Sequence, residues 1–497
     1  MFKSYFETLS NCFRIPELRS RIVFTLMLLA VCRMIALTPV PGIKGWELSR
    51  HLNEQREDRA KKEAARRADP DKKDEANQGG PAGLLDLYSM FTGGALERCA
   101  IGTLGIMPYI SATIILQLMT AVVPSLSKLS REEGGRTQII KYGRYLTVIL
   151  CFGQGYVMSM GWETPERAAQ VFGAGVGALV DDPGTWYNVR TALILTTGTV
   201  LLMWLGEQIT ERGVGNGVSL VITIGIVSRL PQAVQSMWDM FFPNAPLFNW
   251  QAMKDARLDS DFTMFHAILL FAMLIGVMAV VIAMTQAQRK IPVQYAQRAV
   301  GRKMYQGGSS FLPLRVNYAG VMPIIFAQAI LMFPETIFRF LASSVAQGGF
   351  WHETFTWLAG NLGWGSTGFL VLMGTMILFF SYFWVATQFN EVQIADDLKK
   401  YGGYIPGVRP GAPTRDFLHH AMSRITLAGA LFLVGVAIFP TILNDHFNVP
   451  FAVGSFFGGT SVLITVGVML DTMRQLESHL MMRHYDGFLQ KGKVRGR

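Results

Sequence analysis

At 497 residues, 50% hydrophobic and only 16% charged, the chain is too apolar for a soluble protein, whose charged share is about a quarter. Its net charge of +10 raises nucleic acid as a partner, but the positive charges gather in a few loops, which decides against that reading. The four cysteines, Cys12, Cys32, Cys99 and Cys151, form no C-x-x-C pair and two lie in apolar runs, so neither a disulfide framework nor a zinc site is indicated.

Taken in order, residues 1–21 form an amphipathic segment on the membrane surface, with Phe2, Phe6, Leu9 and Phe13 set against basic residues. No A-x-A-like exit follows, so no cleavable signal peptide is evident. The first of ten predicted spans covers about 20–40 and contains Arg33, an intramembrane charge that serves function, pairs within the bundle or snorkels. Residues 53–82 are rich in both charge signs and have no apolar face, which predicts a disordered loop or fraying helix.

Residues 83–124 organise the rest. Their first half is apolar but broken by Gly93, Gly94, Glu97 and Arg98, too short and polar to span and too apolar for a solvated loop. That predicts a short re-entrant helix at 85–103, where irregular backbone is tolerated because protein lines it. The second half is the second span, 104–123. Its opening, Gly105-Ile-Met-Pro-Tyr-Ile-Ser-Ala-Thr-Ile-Ile, is echoed at Gly320-Val-Met-Pro-Ile-Ile-Phe-Ala-Gln-Ala-Ile. Glycine and proline are common in membrane helices, so the echo is either chance or a repeat with its working site at the repeat interface.

The remaining spans are expected near 144–162, 188–207, 217–236, 263–285, 318–339, 367–387, 421–442 and 451–471, each close to the ~20 residues that cross a bilayer. Lys and Arg cluster in alternate loops, at 128–144, 286–317 and 388–420, and in a basic tail at 473–497. The positive-inside rule then places both termini in the cytoplasm. The chain divides into a five-helix half at 22–238 and another at 239–472. Five is odd, so the halves insert in opposite senses. The expected fold is an all-α polytopic membrane protein with two inverted pseudo-symmetric halves and a plug-like re-entrant helix.

Enzyme signatures are missing: no H-E-x-x-H, no G-x-S-x-G and no GxxxxGK[ST] occur. No catalytic, metal or cofactor site is therefore assigned. Glu207, Glu335 and Asp471 fall near predicted span ends rather than paired at mid-depth, which weakens an ion-coupled transporter without excluding it. The aliphatic residues around the echoed helices are either ordinary core and lipid-facing side chains or a constriction that seals a pore by excluding water.

Five long stretches in order, MFTGGALERCAIGTLGIMPYISATIILQLMTAVVP, GEQITERGVGNGVS, LPLRVNYAGVMPIIFAQAILMFP, YIPGVRPG and FFGGTSVLITVGVMLD, resemble the SecY family, the central subunit of the bacterial protein-conducting channel. The resemblance covers nearly the whole chain except 53–82. It implies an hourglass pore whose ring is Ile106, Ile110, Val218, Ile222, Ile325, Val462 and Ile464, with valine at two places shortening the seal. It implies a plug carrying Leu87, Phe91, Gly93, Gly94, Glu97 and Arg98, where Glu97 replaces the family's usual small polar residue. Spans two and seven would form a lateral gate, with Gln117 and Gln328 as its polar positions.

The family further implies docking of the SecA motor or the ribosome on the basic loops, through Arg298, Arg302, Lys303 and Arg409. Arg409 stands out because a Gly-Val-Arg-Pro-Gly turn presents it at a loop tip. Small SecE-type and SecG-type membrane subunits, secretory and membrane-protein precursors and the bacterial inner membrane complete the expected setting. The expected function is a non-enzymatic channel for unfolded polypeptides. The alternatives are an inverted-repeat secondary transporter and a membrane scaffold.

Overall fold

The computed structural model describes residues 15–241 and 264–491, apart from 53, 56–87 and scattered loop positions, Arg302 among them. The chain is mostly helical there, and a helix stands at each of the ten predicted segments. Six helices of the described residues are long and apolar enough to cross a membrane alone, or up to seven if one bent pair is a single span.

The helices before the central gap are α1 (Pro16–Leu37), α2 (Met107–Val122), α3 (Pro124–Arg131), α4 (Gly135–Glu163), α5 (Thr185–Arg212), α6 (Gly217–Val227) and α7 (Leu230–Phe241). Because Pro16 opens α1, residues 16–21 continue into the first span rather than forming a separate surface helix. Residues 1–14, and all of 53–82 except Glu54 and Gln55, lie outside the described residues.

Prolines set two of the breaks. The ring of Pro124 pushes Val123 into extended backbone, at φ −91° and ψ 113°, so α2 stops and α3 leaves at 104°. Span five is likewise two helices, α6 and α7, parted at Ser228–Arg229 just ahead of Pro231.

After the gap come α8 (Met264–Gln286), strands β1 (Gln288–Tyr295), β2 (Arg298–Val300), β3 (Lys303–Tyr305) and β4 (Ser309–Arg315), then α9 (Met322–Ser344), α10 (Phe350–Asn361), α11 (Thr367–Gln388), α12 (Glu391–Lys400), β5 (Gly403–Tyr404), α13 (Ala412–Phe447) and α14 (Thr460–Lys491). Several helices outrun the predicted spans. The last one, 32 residues long, carries most of the basic tail as helix.

The chain packs as two compact units, Met1–Thr263 with Ile464–Arg497, and Met264–Leu463. In the first, the glycine-rich turn at 213–216 lies between the first and last helices. Val214 N–H donates to Thr25 Oγ1 at 3.0 Å, and Gly215 N–H donates to Gln475 Oε1 at 2.9 Å. Leu18, Val214, Met473 and Leu476 form a buried cluster beside these bonds. These contacts bring α14 into the first unit, although in sequence it follows the second.

In the second unit the basic loops hold a feature without a sequence expectation. An antiparallel sheet in the order β4-β1-β5 pairs Gln288 with Arg315 through Gln294 with Ser309, and β5 joins at Gln294 opposite Tyr404. Two prolines, Pro292 and Pro313, and only short apolar alternation hide these strands from a periodicity reading. Ile291, Val293 and Leu314 turn inward onto Val385, Phe389, Leu418, Met422 and Ile425, and Ile405 beside β5 joins the same cluster. Each fully buried aliphatic contributes about 1.5–3 kcal/mol. The sheet is therefore a fixed platform on α11 and α13.

Candidate functional site

The echoed motif is an echo of backbone geometry. Gly105 and Gly320 adopt left-handed φ of 58° and 65°, a region that costs other residues about 1–2 kcal/mol. Ile106 and Val321 then cap α2 and α9 with closely matching angles, −99°/1° and −93°/−10°. Pro108 and Pro323 follow in the first turn, where a missing N–H costs nothing.

The ring positions are distributed between the units. Ile106, Ile110, Val218, Ile222 and Ile464 belong to the first, Ile325 and Val462 to the second. All are buried except Val218, which is half-buried. Glycines bring Ile106 and α6 together in the first unit. A Cβ on Gly206 would stand 3.6 Å from both Ile106 Cδ1 and the Val218 backbone nitrogen. One on Gly217 would come within 1.8 Å of the Gly206 carbonyl oxygen. Side-chain-free backbone thus seats α6 directly on α5. Ile106 with Ile110, and Val218 with Ile222, are one helix turn apart and share a face.

Of the plug positions, Leu87 lies outside the described residues, and the segment is seen from Tyr88 onward. Phe91 is buried, and Gly93 and Gly94, with φ 64° and 85°, make the sharp turn at the tip. Arg33 on α1 donates from Nη1 to the Gly93 carbonyl at 3.0 Å, so the intramembrane arginine pairs with this turn. Glu97 forms an ion pair with Arg229, both 13% exposed. Arg229 is itself held by Gln232 Oε1 at 2.6 Å. Arg98 is exposed, and its carbonyl abuts Gly45, where a Cβ would clash at 2.0 Å.

Beyond the tip, the segment is pinned by main chain. Val40 N–H donates to Cys99 O at 2.9 Å and Ile101 N–H to Thr38 O at 2.8 Å. Cys99 has a left-handed φ of 44° and is fully buried, and burial pushes its thiol pKa well above the usual range. Arg229 and Gly225 escaped the sequence reading. Their only signal was a basic residue just before a proline at a helix break.

Of the two glutamines, Gln328 is buried and Gln117 half-buried, and the amide oxygen of each is shielded from solvent. Gln117 Oε1 and Gln328 Oε1 have no hydrogen-bond partner among the described residues. Gln328 Nε2 reaches Thr460 Oγ1 only at 3.5 Å. The two side chains belong to different units.

The proposed docking residues fall outside the three-stranded sheet: β2 and β3 form a separate two-stranded sheet, and Arg409 lies in the loop after β5. Arg298 and Lys303 lie on the paired strands β2 and β3, opposite Tyr305 and Val300, while Arg302 lies outside the described residues. Arg409 is exposed between Gly407 and Gly411, at φ 85° and 105°, and its carbonyl accepts from the buried Thr414 hydroxyl at 2.8 Å. The loop tip is held from below.

Similarity to known proteins extends over the whole architecture. The chain is 38% identical over 503 aligned residues to the protein translocase subunit SecY of Chlamydia trachomatis, covering 99% of each chain. It is 37% identical to the Thermotoga maritima protein of the same name, again over 99% of each. Among solved structures, a protein-conducting channel matches with TM-score 0.58 at 16% identity over 96% of this chain and 94% of that one. The Sec61 of a canine ribosome–channel complex matches with TM-score 0.55 at 16% identity, over the same shares. At that identity the structures speak for the fold. The SecY family model matches residues 100–473, and with relatives this similar along their full length, the chain belongs to the SecY family.

Proposed function

We propose that this chain is the channel subunit of a protein translocase in the bacterial cytoplasmic membrane, with both termini in the cytoplasm. It passes unfolded secretory polypeptides across and releases transmembrane segments sideways. The observation that carries this reading is the near-complete alignment with SecY translocase subunits.

In this reading the seven aliphatic residues Ile106, Ile110, Val218, Ile222, Ile325, Val462 and Ile464 form the constriction. Aliphatic contacts are non-directional, so such a ring closes around any sequence and offers no polar partner to hold it. The segment 85–103 is the plug. Gln117 and Gln328 mark the seam where a signal sequence enters, because an incoming apolar helix offers its own apolar surface to the parted helices. The basic sheet and the Arg409 loop receive the SecA motor or the ribosome, which supply the drive. SecE-type and SecG-type subunits complete the assembly.

The test is crosslinking from a single cysteine at position 110, with native cysteines replaced and a secretory chain stalled by SecA and ATP in vesicles. A crosslink there, absent from a control cysteine replacing the exposed Phe379 of α11, supports the ring. Transport without a crosslink at 110 places the polypeptide path elsewhere.

A further inference from the structure

The plug turn and the ring helix are joined by groups that no motif marks. The helix α6, Gly217–Val227, carries Val218 and Ile222 in its first two turns. Near its other end it meets the plug. A Cβ on Gly225 would stand 2.6 Å from the Phe91 carbonyl oxygen, and one on Gly93 would stand 3.1 Å from Gly225 Cα. Two backbones therefore touch without intervening side chains. Two residues past the end of α6, Arg229 pairs with Glu97, while Arg33 grips the Gly93 carbonyl from α1.

We propose that Arg229 is a positioning residue, a catch that holds the plug through Glu97, and that α6 links release of this catch to widening of the ring. The inference rests on the channel reading above. Arg33 feels the positive charge of Arg98 and Arg229, and Glu97, paired with Arg229, offsets part of that local excess. The pair is largely shielded from water, where an ion pair is weakly screened. Arg229 sits in the break between α6 and α7, where its N–H donates to Ile226 O at 3.0 Å and its carbonyl accepts from Ala233 N–H at 3.0 Å, so it follows a displacement of either helix end. The main-chain bonds of Cys99 and Ile101 to 38–40 keep the plug's base in place. The tip swings while the base stays, and displacing α6 outward withdraws ring side chains and catch together.

The experiment uses the full chain with its membrane partners in vesicles. Ion leak is measured for Glu97→Gln, Arg229→Gln and the double variant, with Arg229→Lys retaining the charge and deletion of 87–98 as the open reference. The catch predicts raised leak in both single variants, no further rise in the double variant, and recovery toward the parent with lysine. A Ser89→Cys reporter, at a position 1% exposed, on a background without native cysteines reads plug position by thiol labelling. Glu97→Gln should label several-fold faster at rest, and the difference should vanish once a stalled precursor holds the ring open.

If the deletion leaks but the pair variants stay tight, the catch is wrong and the channel reading stands. Additive leak in the double variant also overturns the pair as a unit. A labelling difference that persists with the stalled precursor overturns the linkage through α6. If even the deletion fails to leak, the channel reading itself fails.

Discussion

Two glycines of α6 look alike in sequence and differ in what they touch. At Gly217 an added Cβ meets the Gly206 carbonyl of a packed helix, and neither backbone can yield cheaply. Gly217→Ala should lower stability by about 1–3 kcal/mol, the usual cost of overpacking, as a reduced melting temperature in detergent. At Gly225 the obstacle is the Phe91 carbonyl of the plug. Gly225→Ala should leave the melting temperature nearly unchanged while raising resting ion leak. Equal thermal losses in both would mean that the plug is as rigid as the bundle. Cys99 supplies a chemical reading of the same segment. Its thiol is buried and its pKa raised, so the thiolate that reacts is scarce at neutral pH. Maleimide labelling at Cys99 should be slow at rest and still rising as pH passes the ordinary thiol range. Labelling that levels off near pH 8.5, as for a free thiol, would contradict the buried position.

At the scale of elements, the repeat is a glycine turn, a cap and a proline, built twice. The two copies differ in surroundings. Gly105 has Thr92 Cγ2 within 3.1 Å of its notional Cβ, whereas Gly320 has open space around it. Gly320→Ala should therefore cost only the left-handed backbone penalty, about 1–2 kcal/mol. Gly105→Ala should cost more, because Thr92 on the plug must also shift. Thermal unfolding of the two variants side by side checks the order, and a reversed order would show that the neighbours of 105 relax freely. Helices stand at the predicted segments because apolar runs and proline breaks are local features. Six of the described helices, or up to seven with the bent pair, are long and apolar enough to cross alone. The span prediction fell short at helix ends, since polar residues such as those after Asp471 keep a helix going without an apolar run to mark it.

At the scale of the molecule, the sheet platform depends on residues far apart in sequence. Tyr404 of β5 pairs with Gln294 of β1 across 110 positions, and the shared core seats both on α11 and α13. This gives Arg409 a fixed stage. Arg409→Glu should weaken SecA binding about tenfold or more, as removal of an interface arginine commonly does. Thr414→Val, which only loosens the loop, should have a smaller effect. Unchanged affinity in both would move the dock away from this tip. If the ribosome is the partner, its binding should fall steeply with salt as phosphate counterions re-condense.

Sequence by itself determined the membrane class, the largely helical fold, the two-fold echo and the family, because hydropathy, glycine turns and proline breaks act over a few residues. It also singled out Arg33 as an intramembrane charge. Tertiary structure decided what those residues do to one another. Glu97 meets Arg229 across 132 positions, and the turn at 213–216 draws in the last helix through Gln475, 260 positions away. No local pattern encodes such pairings. They arise only when backbones pack closely enough, at Gly206, Gly217 and Gly225, for distant side chains to come within hydrogen-bonding reach.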